Sequence, residues 1–542
     1  MQMMRSFEEN ESRAMLYVYS FINGADWADE VQQLDRMSKI TKQDVVDWAN
    51  KYLGPESYAI VYKREGKDPN EQKIAAPKIT PIVTNRDSQS EFLTEIQNSK
   101  VEPIEPVFVD YKKDMSQFEA QKGVNVLYKK NETNDIFTLI YVFNTGTEND
   151  PALNLAFDYL SYLGTDKMSA EQIASEMYAI ACSFGLSAGT NQSWIEISGL
   201  SENMGKAMEI VEGLIAGAQP NEEILQNLKG DMIKSRADAK LNQSRCFGAL
   251  QRYMIYGSDF IRRTTLTDPA LQGLTSEQLL AKIGDLMGKQ HEVLYYGPQD
   301  EAEVKAALAA HHKVAADLQP LEKKFSTLQP TDENKVMLAQ YDAKQLYYMQ
   351  YSNRGEKFDL AADPQITLYN EYFGGGMNTI VFQEMREARG LAYSAWANLA
   401  IPTNAKGDYY YMAFIATQND KMQKAIEAFD EIINNMPESE KAFDIAKEAL
   451  ISRLRTERTV KDGVLWSYIR MRDLGLTEPR GKQIFEKAQQ MTLADVKAAQ
   501  EKWVKGRKYV YGILGDIQDL DLNYLKTLGP IQTVTQEEIF GY

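Results

Sequence analysis

The chain is 542 residues long and carries 77 acidic against 60 basic residues, a formal net charge of -17, with 44% hydrophobic and 25% charged residues. That length is more than one core can use and predicts about three or four domains of ordinary globular composition. The acidity disfavours a nucleic-acid backbone or an anionic membrane surface as partner and tolerates neutral or cationic peptides, although surplus Asp and Glu also serve plain solubility.

The opening MQMMRSFEENESRAMLYVYS meets Glu8, Glu9 and Glu11 before any apolar run forms, so it reads as neither a signal peptide nor a membrane span, but as a chain entered part-way. ITKQDVVDWANKYLGPESYAIVYKREG follows, the first of three segments of one design; the others are LTSEQLLAKIGDLMGKQHEVLYYG and MTLADVKAAQEKWVKGRKYVYGILGD. Each predicts an amphipathic helix capped by Thr41, Thr275 or Thr492, then a Tyr-rich strand ending near Gly. Recurrence at intervals of more than two hundred residues suits duplicated domains, not a solenoid, and makes each segment a domain end. Residues 1–70 are then expected to be the C-terminal tail of a truncated domain.

Residues 71–118 read as a linker, because KIAAPKITPIVTNRDSQS and VEPIEPVFVDYKK are proline-punctuated and lack helical periodicity. The next domain, 119–300, opens with VNVLYKKNETNDIFTLIYVFNTGTEND, two strands expected to form a hairpin around residues 131–135. A helix over 152–163 follows, with Leu153, Ala156, Phe157, Leu160 and Leu163 on one face. A charged linker, 301–332, leads to a last domain, 333–542, which opens on the strand pair KVMLAQYDAKQLYYMQYS and closes on the third repeat. Strands early and helices late in each unit predict an α+β fold of duplicated domains, each a mostly antiparallel sheet layered with helices.

Cys182 and Cys246 are too few for a disulfide framework and read as core thiols, with one bridge between them left open. His291, His311 and His312 do not stand at ligand spacing and are expected to be solvated or capping. No G-x-S-x-G nucleophile occurs, and GGGMNTIVF lacks the lysine and spacing of a phosphate loop. The carboxylates form no constellation for a hydrolase of another kind.

FGGGMNTIVFQEMREARGLAYS, residues 373–394, concentrates the remaining signal. Three glycines precede a helix that puts Val381, Met385 and Ala388 on a core face, with Phe382, Arg386 and Arg389 together on another. Gly390 is expected as a left-handed cap, and LAYSAWANLA alternates as a strand with Tyr393 just past the turn. Phe382, Arg386 and Tyr393 thus converge on a helix-to-strand corner. Periodicity alone favours a packing role: a solvated arginine beside a core phenylalanine and a buried tyrosine.

This stretch resembles the signature of the pitrilysin/insulinase family of zinc metallopeptidases, the inverzincins, through its glycines and Phe382, Glu384, Arg386, Gly390, Leu391 and Tyr393. The resemblance implies four homologous α+β domains in two halves closing around a peptide chamber, of which this chain is the C-terminal half, without the zinc-binding domain. The family's H-x-x-E-H is matched in position by LAFDYLSYLGT, where Leu155, Asp158 and Tyr159 replace the His, Glu and His. Leucine cannot bind zinc and a lone carboxylate will not hold it, so no metal is expected in this chain and zinc belongs to the missing half.

By motif position, the resemblance makes Arg386 and Tyr393 the catalytic donors, bonding the substrate backbone and stabilising the oxyanion, with Phe382 packing on substrate. It implies as partners a peptide or unfolded polypeptide and an N-terminal peptidase half, fused or separate, with this chain inactive alone. It fits a bacterial, periplasmic setting. The alternative function is a non-catalytic peptide-binding or scaffold subunit of a heteromeric peptidase complex.

Overall fold

A computed structural model describes residues 2–63, 65–66 and 90–542. Most of KIAAPKITPIVTNRDSQS lies outside the described residues. The chain forms two compact units, one of residues 2–103 and one of residues 104–542.

The 2–103 unit is helical. Its helix Lys42–Tyr52 starts as expected at Thr41, whose Oγ1 accepts from the Asp44 N–H at 3.2 Å while Asp44 Oδ2 accepts from the Thr41 N–H at 2.8 Å. The Tyr-rich strand expected after it is absent: residues 58–63 pair with nothing, and Tyr58, Ile60, Val61 and Tyr62 are exposed. Strand formation needs a neighbouring ladder, and this unit holds no strand among the described residues. The segment expected as a linker also contains a helix, Glu91–Asn98. Ser90 Oγ caps it through the Leu93 N–H at 3.1 Å, and the prolines lie on either side of it.

The 104–542 unit contains two six-stranded sheets. In the first, β1 (Ser116–Gln121), β2 (Val124–Lys130), β3 (Ile136–Phe143), β4 (Cys182–Ala188), β5 (Ser193–Leu200) and β6 (His291–Gly297) stand in the order β1-β2-β6-β3-β5-β4. In the second, β7 (Lys335–Gln340), β8 (Gln345–Ser352), β9 (Ser394–Ala400), β10 (Tyr410–Gln418), β11 (Val510–Gly515) and β12 (Ile531–Val534) stand as β12-β7-β11-β8-β10-β9. Most neighbours are antiparallel, but β2–β6, β7–β11 and β7–β12 are parallel. The expected α+β layering of duplicated units is present.

The hairpin expected around residues 131–135 does not form, and the two strands expected at the start of the last domain are not direct neighbours either. β6 inserts between β2 and β3, and β11 between β7 and β8. A tight two-residue turn would force direct pairing, whereas residues 131–135 are long enough to step over the end of β6. Asn131 makes that step: its N–H donates to the Gly297 carbonyl at 2.7 Å and its Nδ2 to the Ile136 carbonyl at 2.9 Å. β6 and β11 are the strands of the second and third repeats, and each follows its Thr-capped helix, Ser276–Met287 or Leu493–Ala499. The repeat therefore encodes a strand that completes a sheet from the middle.

Each sheet has its own helices on one face, and its other face is covered by a helix from the opposite sequence half. Phe247, Leu250 and Met254 of the helix Gln243–Thr264 pack on Met337, Met349, Met412, Val510 and Leu514 of the second sheet. Gly512 has no side chain because Met254 Sδ occupies the place of its Cβ. Reciprocally, Val464, Leu465 and Ile469 of the helix Gly463–Asp473 pack on Leu127, Ile140, Val142 and Leu294 of the first sheet. Arg472 of that helix holds Glu292 on β6 through paired hydrogen bonds of 2.6 and 2.7 Å. With both faces covered, β3 and β6 are apolar almost throughout.

One carboxylate is out of place in this interior. Asp430, on the helix Met422–Asn434, accepts from Gln350 Nε2 of β8 at 2.9 Å, and burial pushes its pKa up to about 6, only partly opposed by that hydrogen bond. The folded state then binds this proton more tightly than the unfolded state between about pH 4 and 6, so the contribution of Asp430 to stability is lost as pH rises through that window. Asp430→Asn keeps the acceptor and is expected to stabilise the chain at pH 7 by about 1–3 kcal/mol and to flatten this pH dependence in thermal unfolding.

Candidate functional site

The site is the junction of the helix Asp363–Phe373, the turn that follows it, and β9. At the end of the helix Asn370 grips β9: Nδ2 donates to the Leu399 carbonyl at 3.0 Å and Oδ1 accepts from the Leu399 N–H at 2.9 Å. Gly374 comes next and lies against the Ala397 carbonyl, where any Cβ would collide with strand backbone. Thr379 Oγ1 then closes the turn on the Gly376 carbonyl at 2.6 Å.

The helix expected over residues 379–389 is present in altered form. One α-helical turn, Ile380–Phe382, widens into a π-helix, Gln383–Ala388. Its long hydrogen bonds run from the Arg389 N–H to the Glu384 carbonyl at 3.2 Å and from the Leu391 N–H to the Met385 carbonyl at 2.9 Å. Val381 and Met385 are fully buried as expected, but the wider turn swings Ala388 out to solvent. Gly390 adopts the expected left-handed conformation with φ 59°.

Phe382, Arg386 and Tyr393 come together. The Arg386 guanidinium carbon lies 4.9 Å from the Phe382 ring centre and 5.0 Å from that of Tyr393. Tyr393 is 76% exposed, so the packing role with a buried tyrosine does not hold. Arg389 departs from the expected shared face. It bonds Glu431 Oε2 at 2.7 Å and reaches Glu384 at 3.4 Å, and these carboxylates raise its own basicity further. Thr417 Oγ1 donates to the Leu391 carbonyl at 2.6 Å, fastening the far side of the corner to β10.

Chemically, this is a permanent cation lying over two aromatic rings, one of them a phenol facing solvent. Such a pair donates hydrogen bonds to an incoming carbonyl or anionic oxygen. The supporting groups Asn370, Thr417 and Glu431 carried no signal in the sequence, because each acts across the tertiary fold. Glu431→Gln is expected to leave the midpoint of chemical denaturation nearly unchanged, since its pair with Arg389 is partly exposed.

The degenerate motif is a piece of core. Leu155 and Tyr159 are buried on the helix Leu153–Ser161, and Asp158 points to the exposed side. Tyr159 is locked by hydrogen bonding, its hydroxyl donating to Ser276 Oγ at 2.7 Å and accepting from the Asn221 N–H at 2.7 Å. These residues do not fit zinc. Among the described residues no three His, Cys, Asp or Glu side chains converge to hold a metal ion, and no helix is long and apolar enough to cross a membrane. Cys182 and Cys246 are buried free thiols. The histidine expectation is corrected: His291 and His312 are buried and bonded to each other.

Comparison with known proteins bears on the part of the chain that holds this corner. Residues 288–450, which include this corner, match the model of the peptidase M16 inactive domain. The chain carries an M16 inactive domain. That domain is the one expected from the 373–394 motif, in the C-terminal half of its family. Among sequence relatives, an uncharacterized zinc protease of Streptomyces coelicolor is 23% identical over 269 residues, 46% of this chain and 56% of that protein. The chain thus spans little more than half the length of this relative. Among solved structures, a peptidase M16 inactive domain from Pseudomonas fluorescens superimposes with a TM-score of 0.60 at 19% identity, covering 74% of this chain and 98% of that one. The periplasmic protease PqqL from Escherichia coli gives a TM-score of 0.60 at 14% identity, covering 89% of this chain and 52% of PqqL. At these identities the likeness establishes the fold.

Proposed function

We propose that this chain is the zinc-less, C-terminal half of a zinc endopeptidase and lends Arg386, Tyr393 and Phe382 to a zinc site carried by an N-terminal half, fused or separate. The observation that carries the proposal is the exposed corner at which Arg386 is clamped between Phe382 and Tyr393. Arg386 and Tyr393 hydrogen-bond the backbone of a bound peptide and the oxygen that becomes negative when its carbonyl is attacked. A guanidinium held in place needs little reorganisation at that moment, which is where such donors act most strongly. Phe382 holds Arg386 on one side and presents its ring to substrate on the other.

Two observations support a partner half. The alignment covers 52% of the chain of the periplasmic protease PqqL, which leaves about half of that protease without a counterpart in it. The 2–103 unit also exposes large apolar side chains, with Phe21 at 88% and Val61 at 91%, a surface suited to the remainder of a domain. On this reading residues 1–70 end a second peptidase domain, 71–118 link the halves, and 119–300 and 333–542 are the third and fourth domains, joined through 301–332.

The test is to mix this chain with an N-terminal half bearing H-x-x-E-H and follow zinc-dependent cleavage of a quenched peptide. Activity that appears only in the mixture supports the proposal. Activity of the partner alone, unchanged by this chain, overturns it and leaves the second reading, a peptide-binding or scaffold subunit. The core packing of Leu155 and Tyr159 favours neither reading, because both place catalysis elsewhere.

A further inference from the structure

His291 begins β6, His312 directly follows the helix Glu301–His311, and Glu212 stands on the helix Met204–Gly217. All three meet beneath the first sheet, remote in function from the Arg386 corner. Nδ1 of His291 lies 2.8 Å from the Lys289 carbonyl, its Nε2 lies 2.8 Å from Nε2 of His312, and Nδ1 of His312 lies 2.5 Å from Glu212 Oε1.

Hydrogen-bond chemistry fixes the proton count of this chain. A carbonyl only accepts, so His291 Nδ1 carries hydrogen. Two facing imidazole nitrogens at hydrogen-bond distance need one hydrogen between them, and so does the imidazole–carboxylate pair. Three hydrogens are required, but two neutral imidazoles supply two. We propose that Glu212, His312 and His291 share one further, buried proton, and that it latches the root of the connector between the two sheets, residues 313–332, to the first sheet.

The surroundings bear this out. Tyr141 and Phe143 of β3 line the trio, with ring centres 4.1 Å from His312 and 4.7 Å from His291 respectively, and burial followed by the charge of Glu212 keeps the Tyr141 phenol protonated. Among the described residues no other charge faces the trio from the packed elements: the Lys289 amine turns to Gln319, Glu292 to Arg472, and Lys206 pairs with Glu209 at the surface. His311 lies against Gly205 instead. From β1, Gln121 Nε2 donates to the His312 carbonyl at 3.2 Å, so the backbone at the root is held as well. Burial, then the neighbouring His312, lowers the pKa of His291 to about 4, opposed by the Lys289 carbonyl. The extra proton therefore belongs to the His312–Glu212 side.

The latch opens in two ways. Loss of the shared proton in base sets two lone pairs face to face, and a second proton on His291 in acid sets two N–H groups face to face. In acid the unfolded His291 takes up its proton near pH 6.5 and the folded one only near pH 4, so the contribution of His291 to stability declines as pH falls across that interval.

The test uses the full chain with nitrogen-15-labelled histidine. Two-bond proton–nitrogen spectra at pH 7 are expected to show one ring with both nitrogens protonated and one Nδ1–H ring with an unprotonated Nε2, and His312→Leu assigns the first to His312. A His312 that carries hydrogen at Nδ1 alone at pH 7 overturns the proposal. In parallel, tryptic cleavage after Lys313 is expected to speed up about tenfold in His312→Leu, as the open state gains population. Unchanged cleavage in a folded variant shows that the trio latches nothing. If the variant does not fold, the spectra of the unaltered chain still decide.

Discussion

Arg386→Ala is expected to lower kcat/KM of the reconstituted peptidase by about 10²–10³-fold, with the loss in kcat, while its stability and its binding to the N-terminal half stay unchanged. Arg386 makes one ion pair among the described residues, with Glu387 at 3.6 Å, and both side chains are partly exposed, so the fold loses little with it. Its loss falls on the developing negative charge. Arg386→Lys keeps the charge but not the planar fork that stacks between two rings, and most of the loss is expected to persist. Tyr393→Phe keeps the ring that clamps the guanidinium and removes only the hydroxyl, which separates donation from positioning. A pair of variants with unchanged steady-state rates would exclude this corner from the reaction.

The second large effect is expected at Gly374. In Gly374→Ala the new methyl group meets the carbonyl, carbon and nitrogen of Ala397, all strand backbone that no rotamer change can move aside. Either β9 shifts or the end of the helix Asp363–Phe373 does, at a cost of about 3 kcal/mol or more. Tyr393 immediately precedes β9, so activity is expected to fall although no reacting group has changed. Two residues on, at Gly376, a Cβ meets nothing, and Gly376→Ala is expected to stay within about 0.5 kcal/mol of the unaltered chain. Calorimetry of the two variants side by side checks this; equal unfolding temperatures would sink the argument.

Much of the site was legible because its logic is local. The glycines, the left-handed Gly390 and the spacing of Phe382, Arg386 and Tyr393 are properties of some twenty consecutive residues. What escaped was longer in range. A π-helix has no signature in a 3.6-residue pattern, so Ala388 was placed inside and Arg389 beside Arg386. Strand order escaped for the same reason: periodicity identifies β2 and β3, but nothing in residues 131–135 announces that a strand from 160 residues further on will separate them. His291 and His312 were misjudged because their partner, Glu212, lies 100 residues from His312 in the sequence.

The exchange of covering helices between the sheets bears on how the chain is made. The helix Gln243–Thr264 leaves the ribosome with Phe247, Leu250 and Met254 directed at a sheet whose strand β11 ends at Gly515 and whose last support, Ile539, comes later still. At roughly 5–20 residues per second, synthesis of the intervening segment takes on the order of tens of seconds. Throughout that interval a nascent chain carries an oily helix with no seat. Holding chaperones are therefore expected to engage this protein late in translation, and a ribosome stalled before β11 is expected to release a sticky fragment rather than a finished first half.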